Sequence, residues 1–96
     1  MKNDTILRIK EKISSVLKSY DVVKAAIFGS VARGEGANDS DIDILVQFKG
    51  SKSLLDLAGL KIDLEELLGR EVDVVTYNSL HPLIRGRILK EQEVIL

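Results

Sequence analysis

The apolar positions of the first twenty residues recur every three or four residues. Ile6, Ile9, Ile13, Val16 and Leu17 carry this pattern, with lysines, serines and Glu11 between them. That spacing predicts an amphipathic helix over Thr5–Tyr20, with Asp4 or Thr5 as its N-cap.

Two further segments predict helices from their apolar spacing and their end residues. The stretch 53–69 is rich in leucine; Ser53 and Asp56 are spaced as a capping box, and Gly69 is suited to the C-terminal stop. The stretch Pro82–Glu91 begins with a proline, which fits a first helical turn, and Ser79 is a candidate cap. The apolar tail 94–96 could close the core or serve an interface, and periodicity does not separate the two.

Short apolar runs predict three strands. The run Val22–Phe28 ends at Gly29, and the runs Asp41–Phe48 and Glu71–Tyr77 both contain aspartates among β-branched residues. Helices and strands in this order predict an α/β (α+β) fold, a small mixed sheet with helices packed mainly on one face. The chain has no repeat and no internal linker, so residues 1–96 are expected to form a single domain, with the strand order left open.

Composition narrows the functional classes. Fourteen basic and fifteen acidic residues give a formal charge of −1. The chain therefore has no overall basic field that would support nucleic-acid binding, and we expect no direct nucleic-acid partner. The sequence has no cysteine, which excludes disulfides and thiolate chemistry. No apolar run approaches a membrane span and the N-terminus does not read as a signal peptide, so we expect a cytoplasmic protein without a membrane partner.

Three aspartates occupy positions where a strand favours apolar residues. Aspartate is depleted in sheets, so Asp41, Asp43 and Asp73 need compensation. Asp41 and Asp43 are two residues apart, on one face of a strand and about 6.5 Å from each other along the chain. If the strand of Asp73 is a neighbour, the three carboxylates converge and suit a pair of divalent metals such as Mg²⁺, with Asp73 also a candidate general base.

The Gly29–Ser30 pair follows the first strand directly. Glycine allows close approach to a ligand, and backbone amides with the Ser30 hydroxyl can cradle phosphate. Arg33 and, less strongly, Lys24 could add positive charge near a triphosphate. Each feature also has an ordinary explanation as a turn, a solvated strand end or a surface charge.

Other polar and aromatic residues carry weaker signals. His81 has no partner at metal-ligand spacing and is expected to be part of a turn before Pro82. Tyr20 and Tyr77 are expected at the edge of the core and at a strand end, with a place near a nucleotide base left open.

The segment GSVARGEGANDSDIDILV resembles the signature of the DNA polymerase β-like nucleotidyltransferase superfamily. It is most similar to minimal nucleotidyltransferases, the antitoxins that act beside HEPN-domain toxins. The Gly-Ser, Arg-Gly, Ser-Asp and Asp-x-Asp elements occur in order, and the acid of EVDVV stands where a third catalytic aspartate is expected. The resemblance covers essentially the whole chain.

This resemblance implies a role for each matching residue. Gly29 and Ser30 would hold the nucleoside triphosphate, while Asp41, Asp43 and Asp73 would bind two Mg²⁺ ions and carry catalysis. Arg33 and Gly34 match the Arg-Gly of the motif, Ser40 matches the serine before the first aspartate as a loop-fixing cap, and Gly36 stands where a small residue is common. The implied reaction transfers AMP from ATP to a hydroxyl, expected to be a tyrosine, of a partner HEPN toxin.

A rival hypothesis is a binding module. Such a protein would neutralise its partner by occlusion and keep a non-catalytic nucleotide site. Three inward carboxylates favour the enzyme, since a pure binder does not need them. The sequence leaves open the partner and acceptor residue, the preferred base, Mg²⁺ or Mn²⁺, and the oligomeric state.

Overall fold

The computed structural model describes residues 2–35 and 40–96. Four helices and four short strands alternate along the described chain, with one 3₁₀ turn between the third strand and the last helix. In chain order they are α1 (Lys2–Ser19), β1 (Val22–Phe28), α2 (Gly29–Ala32), β2 (Ile42–Phe48), α3 (Leu54–Leu68), β3 (Val72–Thr76), the 3₁₀ turn (Tyr77–Ser79), α4 (Pro82–Glu91) and β4 (Glu93–Val94).

The strands form one mixed sheet in the order β3-β2-β1-β4. β1 is antiparallel to β2 and β4, whereas β2 and β3 are parallel and are joined by the crossover helix α3. The predicted small mixed sheet is confirmed. β2 and β3 start one residue later than predicted, so Asp41 lies just before its strand.

The two faces of the sheet carry cores of different size. The larger one packs the sheet against α1 and α3 and includes Ile13, Leu17, Ile44 and Leu64, all fully buried. The smaller core lies on the opposite face, below the 3₁₀ turn and α4, and consists of Ala26, Leu45, Tyr77, Leu80 and Ile88. Both long helices therefore lie on one face, as predicted, and α4 covers only part of the other.

The N-caps predicted for α1 and α4 are wrong. α1 begins at Lys2, so neither Asp4 nor Thr5 is its N-cap; Asp4 lies in the first turn, where a negative charge suits the helix dipole. α4 is capped by His81, whose Nδ1 accepts a hydrogen bond from the Leu83 amide at 3.1 Å. Ser79 is not the cap, because its hydroxyl donates to the Thr76 carbonyl within the 3₁₀ turn.

The predicted ends of α3 are confirmed. The Ser53 hydroxyl accepts from the Asp56 amide at 3.2 Å, and the Asp56 carboxylate accepts from the Ser53 amide at 3.0 Å. Gly69 ends the helix with φ of 64°, a left-handed conformation that glycine adopts at little cost.

The apolar tail closes the core. Glu93 and Val94 pair with β1, and the Ile95 amide donates to the Ala25 carbonyl at 2.9 Å. Ile95 is 3% exposed. Within the described ranges, no helix combines the length and the apolar character that crossing a bilayer requires.

Candidate active site

Asp43 and Asp73 lie directly opposite each other on the parallel strands β2 and β3. Their neighbours Ile42, Ile44 and Val72 point into the larger core. Because side chains alternate along a strand, both carboxylates project from the sheet face that carries α4. The two strands are neighbours, which is the condition on which the predicted convergence of the acids depended.

Asp43 is at the centre of the acidic group. Its burial, followed by the charge and hydrogen bond of Asp73 and the charge of Asp41, raises the pKa of Asp43 to about 6. The Arg33 charge acts in the opposite direction and does not offset these effects. Crowded, half-buried carboxylates of this kind favour a bound cation or a shared proton.

The donor set of this group fits a hard divalent metal. Among residues 2–35 and 40–96, no set of three or more acidic, histidine or cysteine side chains has the geometry of a preformed metal site. Mg²⁺ does not require one, because it typically binds one or two protein carboxylates and completes its shell with water and substrate phosphate oxygens. Asp43 and its neighbours Asp41 and Asp73 are the residues that would hold such an ion.

The Gly29 turn contacts the acidic group directly. Gly29 has φ of 75°, and a Cβ built at this position would lie 2.2 Å from Oδ2 of Asp43. Any other residue would therefore displace the carboxylate. Gly29 begins α2, a one-turn helix whose first amides have no side-chain cap, and Ser30 is half-buried in that turn.

The basic residues predicted near the triphosphate lie in different places. Arg33 caps the C-terminal end of α2 and pairs with Glu35 at 2.9 Å and with Glu91 of α4 at 3.2 Å. Its charge still acts on Asp43. Lys24 lies near the other end of β1, where its Nζ is 4.8 Å from the centre of the Tyr77 ring, rather than at the turn.

Ser40 is held by a residue that the sequence analysis did not single out. Nε and Nη2 of Arg70 donate to the Ser40 carbonyl at 3.0 and 2.5 Å. The position of Arg70, three residues before Asp73 and at the entrance to a predicted strand, is the only signal that the sequence offers for it.

The start of β3 is also held from α3. Lys61 donates to the Val72 carbonyl, and the Val72 amide donates to Glu65 at 3.0 Å. β3 is an edge strand, so these contacts satisfy backbone groups that the sheet leaves unpaired at the residue before Asp73. The i, i+4 spacing of Lys61 and Glu65 was visible in the sequence, but their backbone partner was not.

Both tyrosine hydroxyls are used within the fold. Tyr20 donates to Asp63 of α3 at 2.6 Å, and Tyr77 donates to Gln92 at 2.7 Å. Gly36 of the motif lies outside the described residues.

A glycine turn packed against paired carboxylates is suited to bringing a phosphate group and a divalent metal together. Residues 11–96 match the family described as polymerase beta nucleotidyltransferase. The chain belongs to this family, and the prediction of a nucleotidyltransferase is confirmed.

Curated relatives are named for the same chemistry. A provisionally named protein adenylyltransferase of Methanocaldococcus jannaschii is 57% identical over 91 residues, which span 95% of this chain and 98% of the relative. The protein adenylyltransferase MntA of Thermococcus cleftensis is 40% identical over 89 residues, which span 84% and 90% of the two chains.

Solved structures agree with the fold. One described as a minimal nucleotidyltransferase is 42% identical, with a TM-score of 0.81 over 97% of this chain and 95% of its own. A complex of a tri-AMPylated HEPN toxin with its MNT antitoxin from Shewanella oneidensis gives a TM-score of 0.73 at 19% identity, covering 100% of this chain and 72% of that one. At that identity the second likeness concerns the fold alone.

Proposed function

We propose that this protein transfers AMP from ATP to a hydroxyl group of a partner protein, and that the partner is a HEPN-domain toxin held inactive by the modification. The observation that carries the proposal is the meeting of Asp41, Asp43 and Asp73 beside the Gly29 turn, with the pKa of Asp43 raised to about 6 by burial and by its acidic neighbours.

The reaction is an in-line displacement at the α-phosphorus. The acceptor oxygen forms a bond to this phosphorus as the bond to the bridging oxygen of the β-phosphate breaks, and pyrophosphate leaves. Asp73, exposed beside Asp43, accepts the proton of the attacking hydroxyl. The Gly29 and Ser30 amides and the Arg33 guanidinium bind phosphate oxygens, for which Arg33 exchanges its exposed pairs with Glu35 and Glu91.

Divalent metal supports this chemistry when it is bound. Two Mg²⁺ ions held by Asp41, Asp43 and Asp73 would neutralise charge on the triphosphate and on the attacking oxygen, which is the main source of acceleration in this class of reaction.

The relatives support the protein acceptor. Two are named protein adenylyltransferases, and a structure of the same fold contains an AMPylated HEPN toxin bound to an antitoxin. A tyrosine hydroxyl is the acceptor we expect on the partner of this chain.

The test is intact-mass spectrometry of the neighbouring-gene product after incubation with this protein, ATP and Mg²⁺. We expect the partner to gain one or more adenylate masses, and fragment spectra to locate them on tyrosine. Asp41→Asn and Asp43→Asn should abolish the gain while the protein stays folded. Asp4→Asn, which removes the same charge from the exposed first turn of α1, is the matched control and should remain active.

Two outcomes would contradict the proposal. Full activity of Asp41→Asn or Asp43→Asn would refute the metal assignment. A tight complex whose partner gains no mass would instead establish neutralisation by occlusion.

A further inference from the structure

The backbone on both sides of Asp41 is fastened to the segment that leads into β3. Arg70 donates two hydrogen bonds to the Ser40 carbonyl, and the Ile42 amide donates to the Glu71 carbonyl at 3.0 Å. Arg70 and Glu71 are consecutive. Asp41 is thus the single residue between two anchored peptide groups.

This fastening matters because the sheet does not hold Asp41. The pairing of β2 with β3 begins at Ile42 and Val72, and Asp41 is exposed before it. The Ser40 carbonyl belongs to the planar peptide that includes the Asp41 amide, so its orientation fixes one side of the residue. Two charge-assisted bonds from one rigid guanidinium hold that plane against rotation.

The same short segment carries the third acid. Arg70 lies three residues before Asp73, and Asp73 faces Asp43 across the strand pair. A shift of the Arg70 segment would therefore move Asp41 and Asp73 relative to Asp43.

We propose that Arg70 is a positioning residue for the metal site. It orients Asp41 through the Ser40 carbonyl and fixes the position of Asp41 relative to Asp73, without touching substrate or the reacting atoms. This inference rests on the proposed function, in which Asp41 is a metal ligand. Loss of a group that orients a metal ligand typically weakens metal affinity or activity by about 10- to 100-fold.

The experiment compares Arg70→Met, Arg70→Lys and Arg8→Met with the wild-type protein. Arg8 lines the same hollow of about 240 Å³ as Arg70 but belongs to α1, so Arg8→Met is matched in charge and location. Two quantities are measured: Mn²⁺ binding in the presence of a non-hydrolysable ATP analogue, followed by the electron paramagnetic resonance of free Mn²⁺, and the Mg²⁺ dependence of adenylate transfer.

We expect Arg70→Met to weaken Mn²⁺ binding and raise the half-saturating Mg²⁺ concentration at least about tenfold. Saturating Mg²⁺ should restore most of kcat. Arg70→Lys, which can donate one bond to the Ser40 carbonyl, should lie between, and Arg8→Met should match the wild type. A purely structural role would lower activity in proportion to the folded fraction, read from circular dichroism, with an unchanged Mg²⁺ dependence.

If the wild-type protein binds Mn²⁺ and the Arg70→Met variant shows the same metal dependence, this inference is overturned and the proposed function still stands. If Arg70→Met does not fold, Arg70→Lys carries the same comparison. A wild-type protein that binds no Mn²⁺, together with an active Asp41→Asn variant, would overturn the proposed function itself.

Discussion

Replacing Gly29 by alanine tests the contact on which the candidate site depends. The added Cβ would lie 2.2 Å from Oδ2 of Asp43, whereas real Cβ contacts are essentially never shorter than 3.0 Å. The Asp43 carboxylate must therefore move by close to 1 Å. Displacements of about 1 Å at a reacting centre can cost about 100-fold in rate, and we expect a loss of that order in kcat.

Gly50→Ala separates this contact from backbone strain. Gly50 has φ of 77°, close to the 75° of Gly29, but in the described part of the chain no atom lies within 4 Å of a Cβ built there. Both variants should lose about 1 to 2 kcal/mol of stability, because alanine is strained in the left-handed region.

The assay is the initial rate of adenylate transfer at saturating ATP and Mg²⁺, with thermal unfolding measured on the same samples. Only Gly29→Ala should lose activity. Equal activity of Gly29→Ala and Gly50→Ala at equal folded fraction would refute the argument. A Gly29→Ala variant that binds metal as tightly as the wild type would also refute it.

Three further predictions concern the stability of the metal-free protein. The pKa of Asp43 rises from 3.8 to about 6 on folding, so the native state loses stability as the pH rises through 6. The pKa shift corresponds to a loss of at most about 3 kcal/mol in the free energy of unfolding, and solvent screening reduces this loss to about 1 kcal/mol. Asp43→Asn should therefore match the wild type near pH 4 and exceed it by about 1 kcal/mol at pH 8 in EDTA, and urea titrations that give the same difference at both pH values would contradict this. Leu64→Ala, in the fully buried core, should cost about 3 kcal/mol in the same titrations, and a loss below 1 would show that α3 packs differently. Ser53→Ala should cost about 1 kcal/mol by removing the α3 cap, with no effect on transfer, so an activity loss at full folding would argue against a purely capping role.

The local structure and the chemical character of this protein follow from the order of its amino acids. Apolar spacing predicted the long helices, short apolar runs predicted the three main strands, and the spacing of Ser53 and Asp56 predicted the cap of α3, because each of these patterns depends only on residues close in sequence. Aspartates placed in strands and a glycine directly after β1 marked the candidate site for the same reason, since each departs from what its local pattern favours. Helix starts were less secure: His81 proved to be the cap of α4 because its ring nitrogen reaches the Leu83 amide.

The way in which these helices and strands pack together depends on contacts between residues distant in sequence. The strand order depends on pairs as distant in sequence as Ala26 and Val94. The pairing of Asp43 with Asp73, the contact of Gly29 with Asp43 and the hydrogen bonds of Arg70 to Ser40 join residues that are 14 to 30 positions apart. No local pattern encodes such contacts, because they arise when the two cores select one arrangement of the sheet. The tail shows the same limit, since its apolar residues became a strand only because the edge of β1 was open to pair with it.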